Sequence, residues 1–323
     1  MANLLELKRT FRKFSTADRD ATLARLAGDV AAMQRRWPRK VDFSGLLPDS
    51  AIAIFPLLFA DAFGDIDQEL LARFLAGCEL LAGTIVIADA LFDEELEREQ
   101  RTSFLLCWQG AQCELQRELG RTFAPDSVFW ETLQAALAEY LGGVIKEASY
   151  STRRRRLADA TTAECIAIAS AKSCVSRVAI VGLNLLGSDA SRTDALLLSL
   201  EKYNLAHQIL DDLQDWKADL QAHRPTLVTA RLATVLGLPD TPEPISDLAA
   251  LARELYYGGH ADEFLGLARA NLALAFDAAD RARPLPWHAL LEESDRVIDA
   301  LQRDLSAIVR RNRRGPRRGD VAV

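Results

Sequence analysis

The sequence predicts an all-α protein of about ten helices in a single domain over residues 1–311. Three observations carry this. Apolar residues recur at helical spacing along nearly every segment, and strand alternation bounded by turn signals is hard to find. The breaks are short clusters of Gly, Pro, Asp and Ser, none long enough to link independent domains.

Taken in order, helical patterns run over about 3–34, 67–99, 102–119, 126–149, 159–187, 190–221, 246–257, 261–282 and 287–311. The stretch 67–99 displays the spacing well, with Leu70, Leu71, Phe74, Leu75, Cys78, Leu81, Ala82, Ile85 and Val86 on one stripe. Breaks fall at Pro38–Pro48, Gly64-Asp65, Gly120–Pro125, Gly187–Asp189 and Leu238–Pro244. The run Arg153–Arg156 sits between two helices and reads as a solvated loop. The end, 312–323, is basic, broken by Gly and Pro, and expected to be a disordered tail.

Composition excludes several classes. The 323 residues are 49% apolar and 26% charged, which rules out wholesale disorder. A net charge of -7 argues against a nucleic-acid partner. Five cysteines without a CxxC read as buried thiols of a cytoplasmic protein, with no zinc site or disulfide framework. No signal peptide and no stable membrane insertion are expected. HExxH, Walker A and GxGxxG motifs are missing.

The informative segment is 204–219. On a helix, with Asp211 set at zero, Asn204 falls at about 20°, Asp215 at about 40°, Gln208 at about 60° and Asp219 at about 80°. Leu205, Ile209, Leu213, Trp216 and Leu220 take the other side. Stacked like charges destabilise a helix, and a hard divalent cation would compensate by taking carboxylate and phosphate oxygens together. A solvated acidic face, with Lys202 and Lys217 nearby, is the alternative. However, the stripe runs toward Leu197 and Leu200, as carboxylates at the mouth of an apolar cavity would. A second i, i+4 acid pair, Asp89 and Asp93, also ends a long apolar helix.

The phrase Gln208-Ile209-Leu210-Asp211-Asp212-Leu213-Gln214-Asp215 resembles the QxxDDxxD motif of trans-polyprenyl diphosphate synthases, members of the class I isoprenoid (terpene) synthase superfamily. Asp89–Asp93 sits where that family has DDxxD, with Ala90 in place of the second Asp, and Ala171-Lys172-Ser173 where it has a Lys-Thr step. The resemblance covers about 50–235. It implies the isoprenoid-synthase bundle around a central apolar cavity, a prenyl diphosphate substrate, three Mg²⁺ ions and a homodimer. Asp89, Asp93, Asp211 and Asp215, with Asp219, are then the catalytic and metal-binding candidates. Arg98, Lys172, Gln208, Lys217 and Arg224 are the diphosphate-binding candidates. Phe55, Phe59, Cys78, Ala82, Ile85, Leu197 and Leu200 are the cavity candidates, with Phe104, Trp108 and Tyr203 as further ones.

Two departures bear on the reaction. Elongating synthases bind isopentenyl diphosphate on a basic GKRxRP stretch, but here the corresponding positions carry Ile52, Ala53 and Phe55. Their paired Arg-Arg reads Arg98-Glu99. Both changes remove positive charge from one co-substrate site. The acid spacing 211, 215 and 219 also matches the NSE/DTE triad of terpene cyclases. The sequence therefore leads to a class I terpene synthase that ionises one linear prenyl diphosphate and cyclises or quenches the cation. The alternative is a prenyltransferase that condenses prenyl units or alkylates another acceptor. A non-catalytic subunit is a third reading.

Overall fold

The computed structural model describes residues 51–92, 98–237, 247–280 and 286–313. Among these, the regular structure is helical, with no strand. The helices are α1 (Ala51–Phe59), α2 (Gln68–Phe92), α3 (Arg98–Thr122), α4 (Val128–Ser151), α5 (Thr162–Ser173) and α6 (Arg177–Leu186). They continue with α7 (Thr193–Gln221), α8 (Leu227–Leu236), α9 (Leu248–Tyr257), α10 (His260–Asp280) and α11 (Pro286–Arg313). The expected helix over 3–34 lies outside the described residues.

The chain divides into two compact units, with boundaries inside α4, α7 and α11. Residues 1–135, 176–197 and 281–290 form one, and 136–175, 198–280 and 291–323 the other.

In the first unit, Asp67 Oδ1 caps α2 by accepting from Glu69 N and Leu70 N, both at 3.0 Å. Satisfying these first-turn donors fixes where the long apolar helix begins. Phe123 and Phe129 stack at 3.8 Å between centroids, and Phe74 meets them edge-on at 5.6 and 6.1 Å. Such pairs add about 0.5–1.5 kcal/mol each beyond burial. α6 approaches this cluster through Gly182, where a Cβ would fall 2.1 Å from Phe74 Cζ, so no larger residue fits. A second aromatic cluster joins Phe55 and Phe59 of α1 to Trp287, with centroids 6.0 and 4.7 Å from the indole.

In the second unit, α7 is tied to its neighbours by polar bonds from buried side chains. Ser199 Oγ donates to Ala275 O at 2.7 Å on α10, and Trp216 Nε1 donates to Tyr256 Oη at 3.3 Å on α9. α7 stops at His223, which adopts left-handed backbone (φ 55°). α8 starts at a Thr226–Thr229 capping box and ends at Gly237 in the left-handed region.

Several boundaries differ from expectation. The span 159–187 is three pieces, because a 3-10 turn at Cys174–Ser176 separates α5 from α6. α1 and α8 were not expected. α1 holds Pro56, and α8 is a ten-residue helix rich in Val and Thr whose ends are set by caps. Helix α11 continues through Arg313, and 314–323 lie outside the described residues. The arginine loop is not wholly solvated. Arg155 pairs with Glu164 and lies 4.6 Å over the Tyr150 ring, while Tyr150 Oη donates to Glu164 Oε2 at 2.8 Å.

Two spans, Gln68–Asp89 and Thr162–Leu186, are long and apolar enough by composition to cross a membrane. Of their windows 61% and 50% are buried inside the protein, as in core helices, and the second is broken by the 3-10 turn.

Candidate functional site

The acidic face of α7 splits in two. Asp211 and Asp215 are exposed, whereas Asp212 and Asp219 are 4% and 7% accessible. Helical geometry explains the split, since residues seven apart stand only about 20° from each other. Asp212 is anchored on both oxygens: Gln208 Nε2 donates to Oδ1 at 2.8 Å, and Leu227 N donates to Oδ2 at 3.4 Å. Burial pushes its carboxyl up to about 7, against the lowering effect of these donors. Asp219 is pushed up to about 6, first by burial, with Arg224 lowering it and Asp215 raising it. Arg224 Nη1 lies 3.5 Å from Asp219 Oδ1.

Asp211 is also raised, first by desolvation, while His207 and Lys172 lower it and Asp215 raises it. Desolvation holds His207 below the ordinary imidazole value, against the opposing pull of Asp211. Both side chains are open to solvent and yet desolvated. The His207 ring is 5.9 Å from that of Tyr203, one turn earlier.

Lys172 completes this group from α5. Its Nζ is 2.7 Å from Glu147 Oε2 on α4. The approach depends on Gly143, where a Cβ would fall 2.8 Å from Ala171 Cβ. A glycine one turn before Glu147 thus lets the Lys172 backbone come close enough for the ion pair.

The second unit therefore brings Lys172, His207, Asp211 and Asp215 into one electrostatic group. Gln208, Arg224 and Asp219 are engaged in the buried bonds beside it. Lys217 stands apart, about 120° round the helix from Asp211, with Nζ 5.5 Å over Trp216. In the first unit Asp89 is half-buried on the last turn of α2. Asp93 lies outside the described residues, as do the side chains of Arg98, Glu99 and Phe104. Of the apolar candidates, Phe55, Phe59, Cys78, Ala82, Ile85 and Leu200 are buried, as is Tyr203, while Leu197 and Trp108 are half-buried. Phe55 and Phe59 spend their surface on Trp287. Sequence reasoning missed Glu147, His207 and the anchoring part of Asp212. For Asp212 a signal existed, because Gln and Asp at i, i+4 are a recognised helix pair.

No family model matches the sequence, and no curated protein does. Solved structures do. A geranylgeranyl pyrophosphate synthase from Corynebacterium glutamicum superposes with TM-score 0.69 at 15% identity, covering 93% of this chain and 98% of that one. A polyprenyl synthase from Caulobacter crescentus, complexed with calcium and isoprenyl diphosphate, gives 0.67 at 20% identity over 89% and 95%. A geranylgeranyl pyrophosphate synthetase from the archaeon Geoglobus acetivorans gives 0.63 at 18% over 85% and 98%. The chain has the all-α isoprenoid-synthase fold.

On this fold the donor set can be tested against a metal. Among the described residues no three His, Cys, Asp or Glu side chains stand together as a ready cage. Asp211 and Asp215 offer two carboxylates one turn apart. That number suits Mg²⁺, which keeps waters and is commonly held by one or two carboxylates together with substrate phosphates. The desolvation and mutual repulsion that raise Asp211 are what a bound cation would relieve.

Proposed function

We propose that the protein is a Mg²⁺-dependent prenyltransferase that ionises an allylic prenyl diphosphate and passes the prenyl group to an acceptor. The observation that carries this is the grouping of Asp211, Asp215 and Lys172 on an isoprenoid-synthase fold. Asp211 and Asp215 would hold metal, with Asp89 and Asp93 as a second ligand set and three ions as the expected number. Bound Mg²⁺ would supply charge neutralisation of the leaving diphosphate. Lys172 supplies a protein cation to the same oxygens, and Glu147 sets where its ammonium waits. Buried apolar side chains keep water from the carbocation.

Sequence alone put cyclisation first. The neighbours named above are prenyl and polyprenyl synthases, and they favour transfer. Cyclisation stays as the second reading because of one specific observation. Phe55, standing at a position that is basic in elongating synthases, is 3% accessible and packed on Trp287.

The deciding experiment incubates the protein with Mg²⁺ and geranyl, farnesyl or geranylgeranyl diphosphate, with and without isopentenyl diphosphate. A lengthened diphosphate, or a prenylated acceptor, supports transfer. A cyclic hydrocarbon or alcohol from one substrate supports cyclisation instead.

We place the enzyme in the cytoplasm, in keeping with the free thiols of Cys78, Cys113, Cys165 and Cys174 among the described residues. A homodimer fits the outer face of α4, where Ala138, Leu141, Ile145 and Ala148 are exposed at i, i+3, i+7 and i+10.

A further inference from the structure

A cavity of about 630 Å³ opens in the second unit, among α5, α8 and α10. Its volume lies in the range of small-molecule sites. Leu227, Ala230, Phe264 and Leu267 give it an apolar wall. Cys165 also faces it, with its thiol pushed up to about 12 by burial, so it serves as a small apolar group. The mouth is polar. Thr161 and Thr234 are exposed there, and Arg231 Nη2 pairs with Glu263 Oε1 at 2.8 Å. Among the described residues these two are the only charged ones of the lining, and they neutralise each other.

The cavity lies behind the acidic group rather than within it. Leu227, part of its wall, donates its backbone N–H to Asp212 Oδ2 at 3.4 Å. Asp212 points about 100° round the helix from Asp211. Cys165, on the same lining, donates its thiol to Thr226 O at 3.5 Å, one residue before Leu227.

We infer that this cavity is a second binding site for an uncharged, mainly apolar small molecule carrying one hydroxyl, and that its occupancy is felt at the acidic helix through Leu227 and Asp212. The apolar wall takes the hydrocarbon body. Thr161 Oγ1 accepts from Glu164 N at 3.2 Å and keeps its proton to donate, and Thr234 Oγ1 donates to Ala230 O at 2.9 Å and can still accept, so together they meet a hydroxyl head. A charged head would compete with the Arg231–Glu263 pair for its partners. The binding claim stands independently of the proposed reaction, while its effect on turnover rests on that reading.

The test is calorimetric titration of geraniol and of 1-decanol into wild type, Thr234→Trp and Ala230→Phe. Thr234 is exposed at the mouth, so a Trp there closes the cavity without entering the core. Ala230→Phe fills it from within. Thermal melts confirm that each variant is folded. Wild type is expected to bind, with affinity at least about tenfold weaker in both variants, the loss expected when a bulky group fills a ligand pocket. No binding to wild type, or equal binding by all three, overturns the site. In the prenyl diphosphate assay the alcohol is expected to change KM in wild type and not in Thr234→Trp. An equal change in both, or none in wild type, overturns the coupling and leaves the primary reaction to its own test.

Discussion

Lys172 Nζ stands 2.7 Å from Glu147 Oε2, while its charge also lowers the pKa of Asp211. One ammonium thus serves two anionic neighbours, and a diphosphate would compete for it. Lys172→Ala is expected to lower kcat/KM for the allylic diphosphate roughly 100-fold, the scale of losing one transition-state donor. Glu147→Gln frees the ammonium without removing it. It is expected to act mainly on KM, with kcat within about threefold of wild type, as for a group that positions rather than reacts. Steady-state kinetics on both variants checks this.

Asp211 and Asp212 are adjacent and do different work. Asp211→Asn is expected to cut Mg²⁺-dependent pyrophosphate release about 100-fold or more, with Tm unchanged or higher, because it relieves repulsion from Asp215. Asp212→Ala is expected to lower stability by about 1–3 kcal/mol, since it strands buried donors. Asp212→Asn keeps an acceptor and is expected to stay close to wild type in Tm. Thermal melts and a pyrophosphate assay on the three proteins separate the roles.

The helical period of α7 predicts which residues share a side but not what packs against each side. Helical period fixed that Asp211 and Asp215 share a side, because this follows from 100° per residue alone. What Asp212 and Asp219 face depends on α8 and the 222–226 turn, which were not expected as elements. A short helix made by caps gives little periodic signal, so its backbone N–H could not be anticipated as Asp212's partner. Glu147 was hidden for a related reason: its link to Lys172 joins residues 25 positions apart and depends on a close helix crossing at Gly143. α1 is likewise short, nine residues with Pro56 inside it, and displays little period. Phe55, Phe59, Cys78, Ala82, Ile85 and Leu200 are buried as their apolar character predicts, but burial does not distinguish a cavity wall from an aromatic cluster such as Phe55–Phe59–Trp287.

Burial raises the Glu79 carboxyl on α2 from the ordinary 4.5 to about 7. A raised acid binds its proton more tightly in the folded chain. Its contribution is therefore fully present below the unfolded value and lost as pH rises through about 7. Tm is expected to fall between pH 5 and pH 8, and the fall to be shallower in Glu79→Gln. Equal slopes would count against this account of Glu79.

Leu141 and Ile145 are 44% and 70% accessible on α4. Ile145→Glu is expected to shift the protein from dimer to monomer in sedimentation velocity without lowering its helical content. A monomeric wild type would remove the dimer from the proposal.

The central claim is that Asp211 and Asp215 support metal-dependent ionisation of a prenyl diphosphate. It is tested most directly by pyrophosphate release from geranyl, farnesyl and geranylgeranyl diphosphate, with Mg²⁺ and with chelator, in the presence and absence of isopentenyl diphosphate. The account predicts release with at least one substrate, dependent on Mg²⁺ and lost in Asp211→Asn. No release from any of them by folded protein, or release indifferent to both Mg²⁺ and Asp211, would contradict it.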